Sequence, residues 1–149
     1  MAPFIMLAGS FLLFRSLGWI GLPFFDRWIF DLQLAVACMF VLTASAHWGK
    51  RRPDLIRMVP RSFPKPGLIV TLTGWLELIG AAGIVIPAVS QLAAIGLSLL
   101  LLAMFPANIR AAREGIAIAG KPATPIGLRT ILQIVFLTAI LLAGFSSNV

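Results

Sequence analysis

Residues 66–87 read PGLIVTLTGWLELIGAAGIVIP, and this stretch decides the fold. It is long enough to cross a hydrocarbon core of roughly 30 Å as an α-helix. Pro66 suits the first helical position, where the missing N–H needs no partner. Glu77 lies near the centre of this segment. A charge at that depth costs roughly 2.5–3.5 kcal/mol on insertion scales, so Glu77 needs a partner, a proton or a polar cavity.

The composition excludes an ordinary water-soluble globule. The chain has 149 residues, of which 60% are hydrophobic and 11% are charged, and its mean hydropathy is +1.01. Soluble domains carry about 25% charged residues. The length suggests a single domain, residues 1–149. We therefore predict an all-α, polytopic membrane protein.

Five apolar segments predict transmembrane helices over residues 3–24, 28–48, 66–87, 92–109 and 125–145. None of them alternates apolar and polar residues as a membrane barrel strand does, so helices satisfy the backbone. The connections are short, and sequential helices should therefore pack antiparallel.

The net charge of +7 is concentrated in two loops, residues 49–65 and 110–124. In a chain with five spans these loops lie on one side, which the positive-inside rule assigns to the cytoplasm. The N-terminus is then inside and the C-terminus outside. We expect the protein to lie in the plasma membrane, which in a bacterium is the inner membrane. Membrane lipids are its expected partners. Because the basic residues act as orientation signals, no nucleic acid is expected as a partner.

The cysteine and histidine counts restrict the chemistry. Cys38 is the only cysteine and His47 the only histidine. One chain therefore cannot form an internal disulfide, a dithiol couple or a bis-histidine haem site. We expect no catalytic residue, no metal site and no intrinsic cofactor. A self-contained redox enzyme is disfavoured.

Arg15 and Glu77 are both predicted within the membrane, at roughly 18 and 16 Å from its inner face by the rise per residue. We hypothesise that they pair inside the bundle. Thr73 at i−4 and Gly80 at i+3 share the Glu77 face. Three alternatives stay open: a staple between two helices, a ligand or proton site, and an Arg15 that snorkels to the lipid headgroups.

Three polar residues, His47, Asn108 and Arg129, fall within about 6 Å of the inner boundary. Residues 53–64 mix prolines, arginines and apolar residues, so we expect extended turns lying in the interface. They would cap a shallow pocket for an amphipathic molecule, either neutral or anionic, such as a quinone or a lipid headgroup. Interfacial anchoring and helix capping are the alternative. His47 and Glu77 differ by about 12–14 Å in depth, so a link between them needs water or another polar group.

Four short motifs resemble the DoxX-like membrane proteins: FVLTASAHW at 40–48, MVP at 58–60 with FP at 63–64, TGWLEL at 73–78, and FPANI at 105–109. The resemblance covers residues 32 to about 142. It implies a four-helix core, with residues 3–24 as an additional helix, and His47, Glu77 and Asn108 as family-typical positions. For some relatives the resemblance also implies an association with thiol redox chemistry and with the quinone pool. Cys38 stands alone here, so an electron carrier must come from a ligand or a redox partner.

These observations favour a non-enzymatic bundle or membrane subunit that binds a quinone or lipid and serves a redox protein. The candidate binding residues are Glu77, Arg15, Thr73, His47, Asn108 and Arg129. A small transporter or proton-coupled carrier using Glu77 and Arg15 is the alternative, and it would need a homo-oligomer because five spans are few. A lipid- or quinone-modifying enzyme with His47 as acid or base ranks third.

Overall fold

The computed structural model of the protein describes residues 1–120 and 124–146. Within this part of the chain there are six α-helices: α1 (Ala2–Trp19), α2 (Trp28–Ser45), α3 (Arg52–Met58), α4 (Pro66–Val85), α5 (Ser90–Arg113) and α6 (Ile126–Phe145). All except α3 are long and apolar enough to cross a membrane. The predicted all-helical class with five membrane helices is confirmed.

The connection between α1 and α2 is longer than the sequence predicts. Helix α1 ends at Trp19, not at residue 24. Gly21 follows with φ of +94°, a left-handed conformation that glycine adopts without strain. A 3₁₀ turn over Pro23–Phe25 then leads towards α2. This early end places the last turn of α1 beside the first turn of α2.

The segment after α2 also differs from the expected extended turns. Residues Arg52–Met58 form the short helix α3, with Pro53 in its first turn, where proline is tolerated. Helix α5 is longer than the predicted span of 92–109 and continues through Pro106 to Arg113. We call the end of the bundle formed by residues 46–65, 114–120 and 124–125 the basic end.

Helix α2 lies at the centre of the bundle, because it packs against α1, α4 and α6. Helix α5 packs against both α4 and α6 and so closes a ring of four helices, with α1 outside on α2. The short α3 lies against α4 and α5. The buried core between the helices is apolar and includes Phe40, Met39, Ile84, Leu97 and Ile140.

Helix α4 turns one stripe of residues inwards. Its buried positions are Val70, Gly74, Glu77, Gly80, Ala81 and Ile84, which recur at the spacing of one helix face. The glycines allow close approach, since a Cβ on Gly80 would lie 2.3 Å from Leu97 Cδ2. Glu77 therefore faces the bundle interior.

Gly74 is the position where this packing can be tested. A Cβ there would lie 2.8 Å from both His47 Cβ and Trp48 Cη2. We expect Gly74→Ala to lower the free energy of unfolding by about 1–3 kcal/mol through overpacking. The control is Gly96→Ala, because nothing lies within 4 Å of its Cβ position, and a helical alanine there should be neutral or stabilising by up to about 1 kcal/mol. Thermal melting in detergent micelles measures both, and equal effects of the two variants would contradict the close contact.

Candidate functional site

Glu77 has a hydroxyl group as its hydrogen-bond partner. The side chain is 2% exposed, and Oε2 lies 2.7 Å from Thr43 Oγ1 on the facing turn of α2. Sequence reasoning quoted Thr43 only as part of a motif and missed this contact. The sequence signal for Thr43 was its position four residues before His47, because helical residues four apart lie on one face.

For a charged carboxylate, the cost of burying Glu77 exceeds the free energy that this hydrogen bond returns. Moving a carboxylate from water to a low-dielectric interior costs several kcal/mol or more even after relaxation. A single hydrogen bond to a charged group returns only about 1.5–3 kcal/mol. Among the described residues Glu77 forms no ion pair. Thr43 alone therefore does not compensate a charge at this position.

The hypothesised pair between Arg15 and Glu77 is wrong. Arg15 Nη1 instead lies 3.3 Å from Asp31 Oδ2, and it donates to the carbonyl oxygens of Phe25 at 3.0 Å and Asp26 at 3.1 Å. The physical reason is the early end of α1. Arg15 lies one turn from that end, beside the connection to α2, and α1 packs on α2.

Asp31 was missed by sequence reasoning. Its side chain is 0% exposed and lies in the first turn of α2, where the helix dipole favours an acid. Its other oxygen, Oδ1, has no hydrogen-bond partner among the described residues. The chain thus buries two carboxyl groups, one beside a guanidinium and one beside a hydroxyl.

Thr73 does not contribute to the Glu77 contact. Its hydroxyl donates within α4, to the carbonyl oxygens of Ile69 at 3.0 Å and Val70 at 3.1 Å. This is the usual way a helical threonine satisfies its own hydroxyl. Thr43 has the role that the shared helix face led us to expect of Thr73.

His47 lies one turn beyond Thr43 and is 3% exposed. Its Nδ1 lies 3.2 Å from the Thr43 carbonyl oxygen. Burial lowers the pKa of His47, so the imidazole is neutral at pH 7. Thr43 is thus the polar group between the two residues, with its hydroxyl on Glu77 and its carbonyl on His47.

Arg52 joins the basic ends of α2 and α4, and sequence reasoning also missed it. Its Nη1 donates to the His47 carbonyl oxygen at 2.7 Å. Its Nη2 donates to the Gly67 carbonyl oxygen at 3.0 Å and to Thr71 Oγ1 at 2.9 Å. A cation is favourable at a helix C-terminus because carbonyl groups there lack helical partners. These three hydrogen bonds hold the basic ends of α2 and α4 together, and so they fix the position of Thr43 along the bundle axis relative to Glu77.

Asn108 and Arg129 come together as expected for residues at one depth. Arg129 Nη1 donates to Asn108 Oδ1 at 2.7 Å, and Nε donates to the Thr124 carbonyl oxygen at 3.0 Å. The pair joins α5 to α6. His47 belongs to the separate contact between α2 and α4, so the three residues do not form one cluster.

A cavity of about 650 Å³ opens at the basic end, between the segment after α3 and the end of α5. A capping role for residues 53–64 is consistent with this, but the residues that line this cavity differ from the expected ones. The charged lining residues are Arg57, Arg61, Arg110 and Glu114, and the larger apolar ones are Ile56, Val59, Phe63 and Ile116. His47, Asn108 and Arg129 do not line it, because they are engaged in the helix contacts described above.

The cavity has an excess of positive charge. Arg110 Nε donates to Glu114 Oε1 at 2.9 Å, and Arg110 Nη1 donates to the Val59 carbonyl oxygen. Arg57 pairs with Asp54 on α3. Arg61 forms no hydrogen bond or ion pair with any other described residue. The pKa of Glu114 is lowered mainly by its hydrogen bond with Arg110 and to a smaller degree by the charge of Arg61. The Arg61 guanidinium has no direct bond to a described residue and is open to a ligand.

Asp54 connects two segments at the basic end of the bundle. The Ala119 N–H donates to Asp54 Oδ2 at 2.9 Å, and this bond, together with Arg57, keeps the pKa of Asp54 below its usual range. The carboxylate therefore stays ionised at neutral pH and ties the segment after α5 to α3. In the part of the chain that the structure describes, no group of three His, Cys, Asp or Glu side chains is placed to bind a metal.

Comparison with known protein families gives a match over most of the bundle. A family model described as "Domain of unknown function (DUF8561)" matches residues 36–143, which is more than half of the chain. No curated protein matches, and no solved structure matches.

The contact between Arg15 and Asp31 predicts a specific pattern of stabilities. Arg15→Leu should lower the free energy of unfolding by roughly 3–5 kcal/mol, because it leaves a buried charge unpaired. Removing both charges in Arg15→Leu/Asp31→Leu should recover most of this loss. Arg15→Leu and Glu77→Gln should instead be additive within about 0.5 kcal/mol. Unfolding in mixed micelles measures all four variants, and a coupling of Arg15 to Glu77 rather than to Asp31 would contradict the assignment.

Proposed function

This chain belongs to the DUF8561 family, and we propose that it is a non-enzymatic integral membrane bundle that binds a lipid with an anionic headgroup. The observation that carries the proposal is the arginine-lined cavity at the basic end. Pro66 of α4 lines the cavity, and Glu77 lies further along the same helix, at roughly 16 Å by the rise per residue.

The charged side of the cavity matches a phosphate group. Three arginines line it against one acid, Glu114, which is already bonded to Arg110. Guanidinium groups bind phosphate oxygens through two parallel hydrogen bonds. Arg61 forms no hydrogen bond or ion pair among the described residues, although its charge acts on Glu114, so it would make the first contact.

The apolar side of the cavity matches the upper part of an acyl chain. Ile56, Phe63 and Ile116 line the same space as the arginines. The side chain of Phe63 is 53% exposed, which is unfavourable in water and favourable beside lipid. A cavity with an arginine rim and apolar walls suits an amphipathic molecule at the membrane interface.

The DoxX-like resemblance adds a quinone as a different occupant, together with a redox protein partner and a location in the plasma membrane. A quinone headgroup is neutral, so it would leave the charge of Arg61 unmatched. We therefore favour the anionic lipid. A quinone that copurifies with the protein would instead support a membrane subunit of a redox system.

A second candidate function is a proton-coupled carrier, and the burial of Glu77 without a cation favours it. Carriers use intramembrane acids to bind protons. Arg15 does not belong to this site, because it pairs with Asp31. Five spans would require a dimer. Substrate uptake into proteoliposomes that is lost in Glu77→Gln would support this function.

Lipid binding can be tested with Arg61→Gln. We expect it to weaken binding of short-chain phosphatidylglycerol roughly fivefold, because one interfacial cation contributes about 1 kcal/mol. Arg113→Gln is the matched control, since Arg113 is exposed and does not line the cavity. Native mass spectrometry or calorimetry in micelles measures the affinities, with phosphatidylcholine as the zwitterionic comparison. Equal binding of the two lipids, or equal effects of the two variants, would overturn the proposal.

A further inference from the structure

The hydroxyl group of Thr43 has two acceptors within reach. Its Oγ1 lies 2.7 Å from Glu77 Oε2 and 3.0 Å from the carbonyl oxygen of Phe40, one turn back in α2. A hydroxyl carries one hydrogen and two lone pairs. Thr43 can therefore donate a full hydrogen bond to only one of these oxygens, and the other contact needs its hydrogen from elsewhere.

Counting hydrogens gives a complete arrangement when Glu77 is neutral. A protonated carboxyl donates its O–H to Thr43 Oγ1, and the threonine hydrogen goes to the Phe40 carbonyl oxygen. Both short contacts are then hydrogen bonds. If Glu77 is ionised, the threonine hydrogen must go to the carboxylate, and the contact with Phe40 becomes two oxygen lone pairs facing each other.

The surroundings of Glu77 favour the neutral form for a second, independent reason. The charged and titratable groups on the elements that pack against α4 are Asp31, Cys38 and His47 of the α2 segment, Arg52, Asp54 and Arg57 of α3, and Arg110 and Arg113 of α5. Arg52 is bonded to three oxygens at the basic end. None of the described cations forms an ion pair with Glu77.

Asp31 is a second buried acid in the described helices, and its surroundings can be compared with those of Glu77. It is fully buried like Glu77, but a guanidinium lies 3.3 Å from its carboxylate. The two acids therefore have opposite environments in one bundle. A carboxyl group without a cation in a low-dielectric interior takes up a proton.

We propose that Glu77 is a proton-binding site: in the folded protein its carboxyl group is neutral and donates a hydrogen bond to Thr43 Oγ1. The contact between Thr43 Oγ1 and Glu77 Oε2 can persist when the proton leaves, because Thr43 then reverses its role and donates to the carboxylate, at the expense of its hydrogen bond to the Phe40 carbonyl oxygen. The site can bind and release a proton without separating α2 from α4. This inference does not depend on the lipid cavity, and either can fail without the other.

The chain contains only two glutamates, Glu77 and Glu114, so selective labelling reports on both. Protein labelled with ¹³C at the glutamate carboxyl carbon would be reconstituted in nanodiscs and followed by NMR as the pH is raised. At pH 7 we expect one carboxylate resonance from Glu114, which is bonded to Arg110, and one carboxylic acid resonance from Glu77. Two carboxylate resonances at pH 7 would overturn the proposal.

Variants assign the resonances and test the partner. Glu114→Gln should remove the carboxylate resonance and leave the acid resonance, while Glu77→Gln should do the reverse. The first variant is at the exposed end of α5, so the assignment does not depend on a change in the core. Thr43→Val should shift the acid resonance, and Thr43→Ser should restore its position. An acid resonance that is unchanged in Thr43→Val would show that Thr43 is not the partner.

Discussion

The hydrogen bond between Thr43 and Glu77 joins the central helix α2 to α4, and the rest of the bundle is arranged around that contact. Glu77 is 2% exposed in a segment that otherwise buries apolar side chains and glycines. Gly74 and Gly80 lie one turn on either side and let His47 and Leu97 approach the helix closely. Close backbone packing and a buried carboxyl therefore occur on the same face, because both require neighbours that exclude lipid.

The polar contacts between helices lie at different heights along the bundle. At the end opposite the basic end, Arg15 binds Asp31 and two carbonyl oxygens of the connection between α1 and α2. In the middle, Thr43 binds Glu77. At the basic end, Arg52 joins α2 to α4, and Arg129 joins α6 to Asn108 of α5. This separation is consistent with a charge being compensated by groups at its own depth, since lipid provides no water to replace them.

The basic end combines rigidity with an open binding surface. Asp54 on α3 accepts a hydrogen bond from the segment after α5, and Arg110 on α5 donates one to the Val59 carbonyl oxygen. These bonds connect the segments around the cavity, while Arg61 forms no hydrogen bond or ion pair among the described residues. A preformed site of this kind avoids the cost of ordering side chains on binding. The buried acid and the arginine-lined cavity are separate features of one bundle, and each has its own chemistry.

The sequence by itself determined the helical class, the five membrane helices and the burial of Glu77, because hydrophobic length and the cost of an intramembrane charge are local properties. It also placed Asn108 and Arg129 at one height. It did not determine which helices are neighbours or where each helix ends. Only the tertiary structure showed that α1 stops at Trp19 and packs on α2, so that Arg15 meets Asp31, and that Thr43 rather than Thr73 faces Glu77. Lateral position and rotation about a helix axis depend on contacts between distant residues, which depth along one helix does not specify.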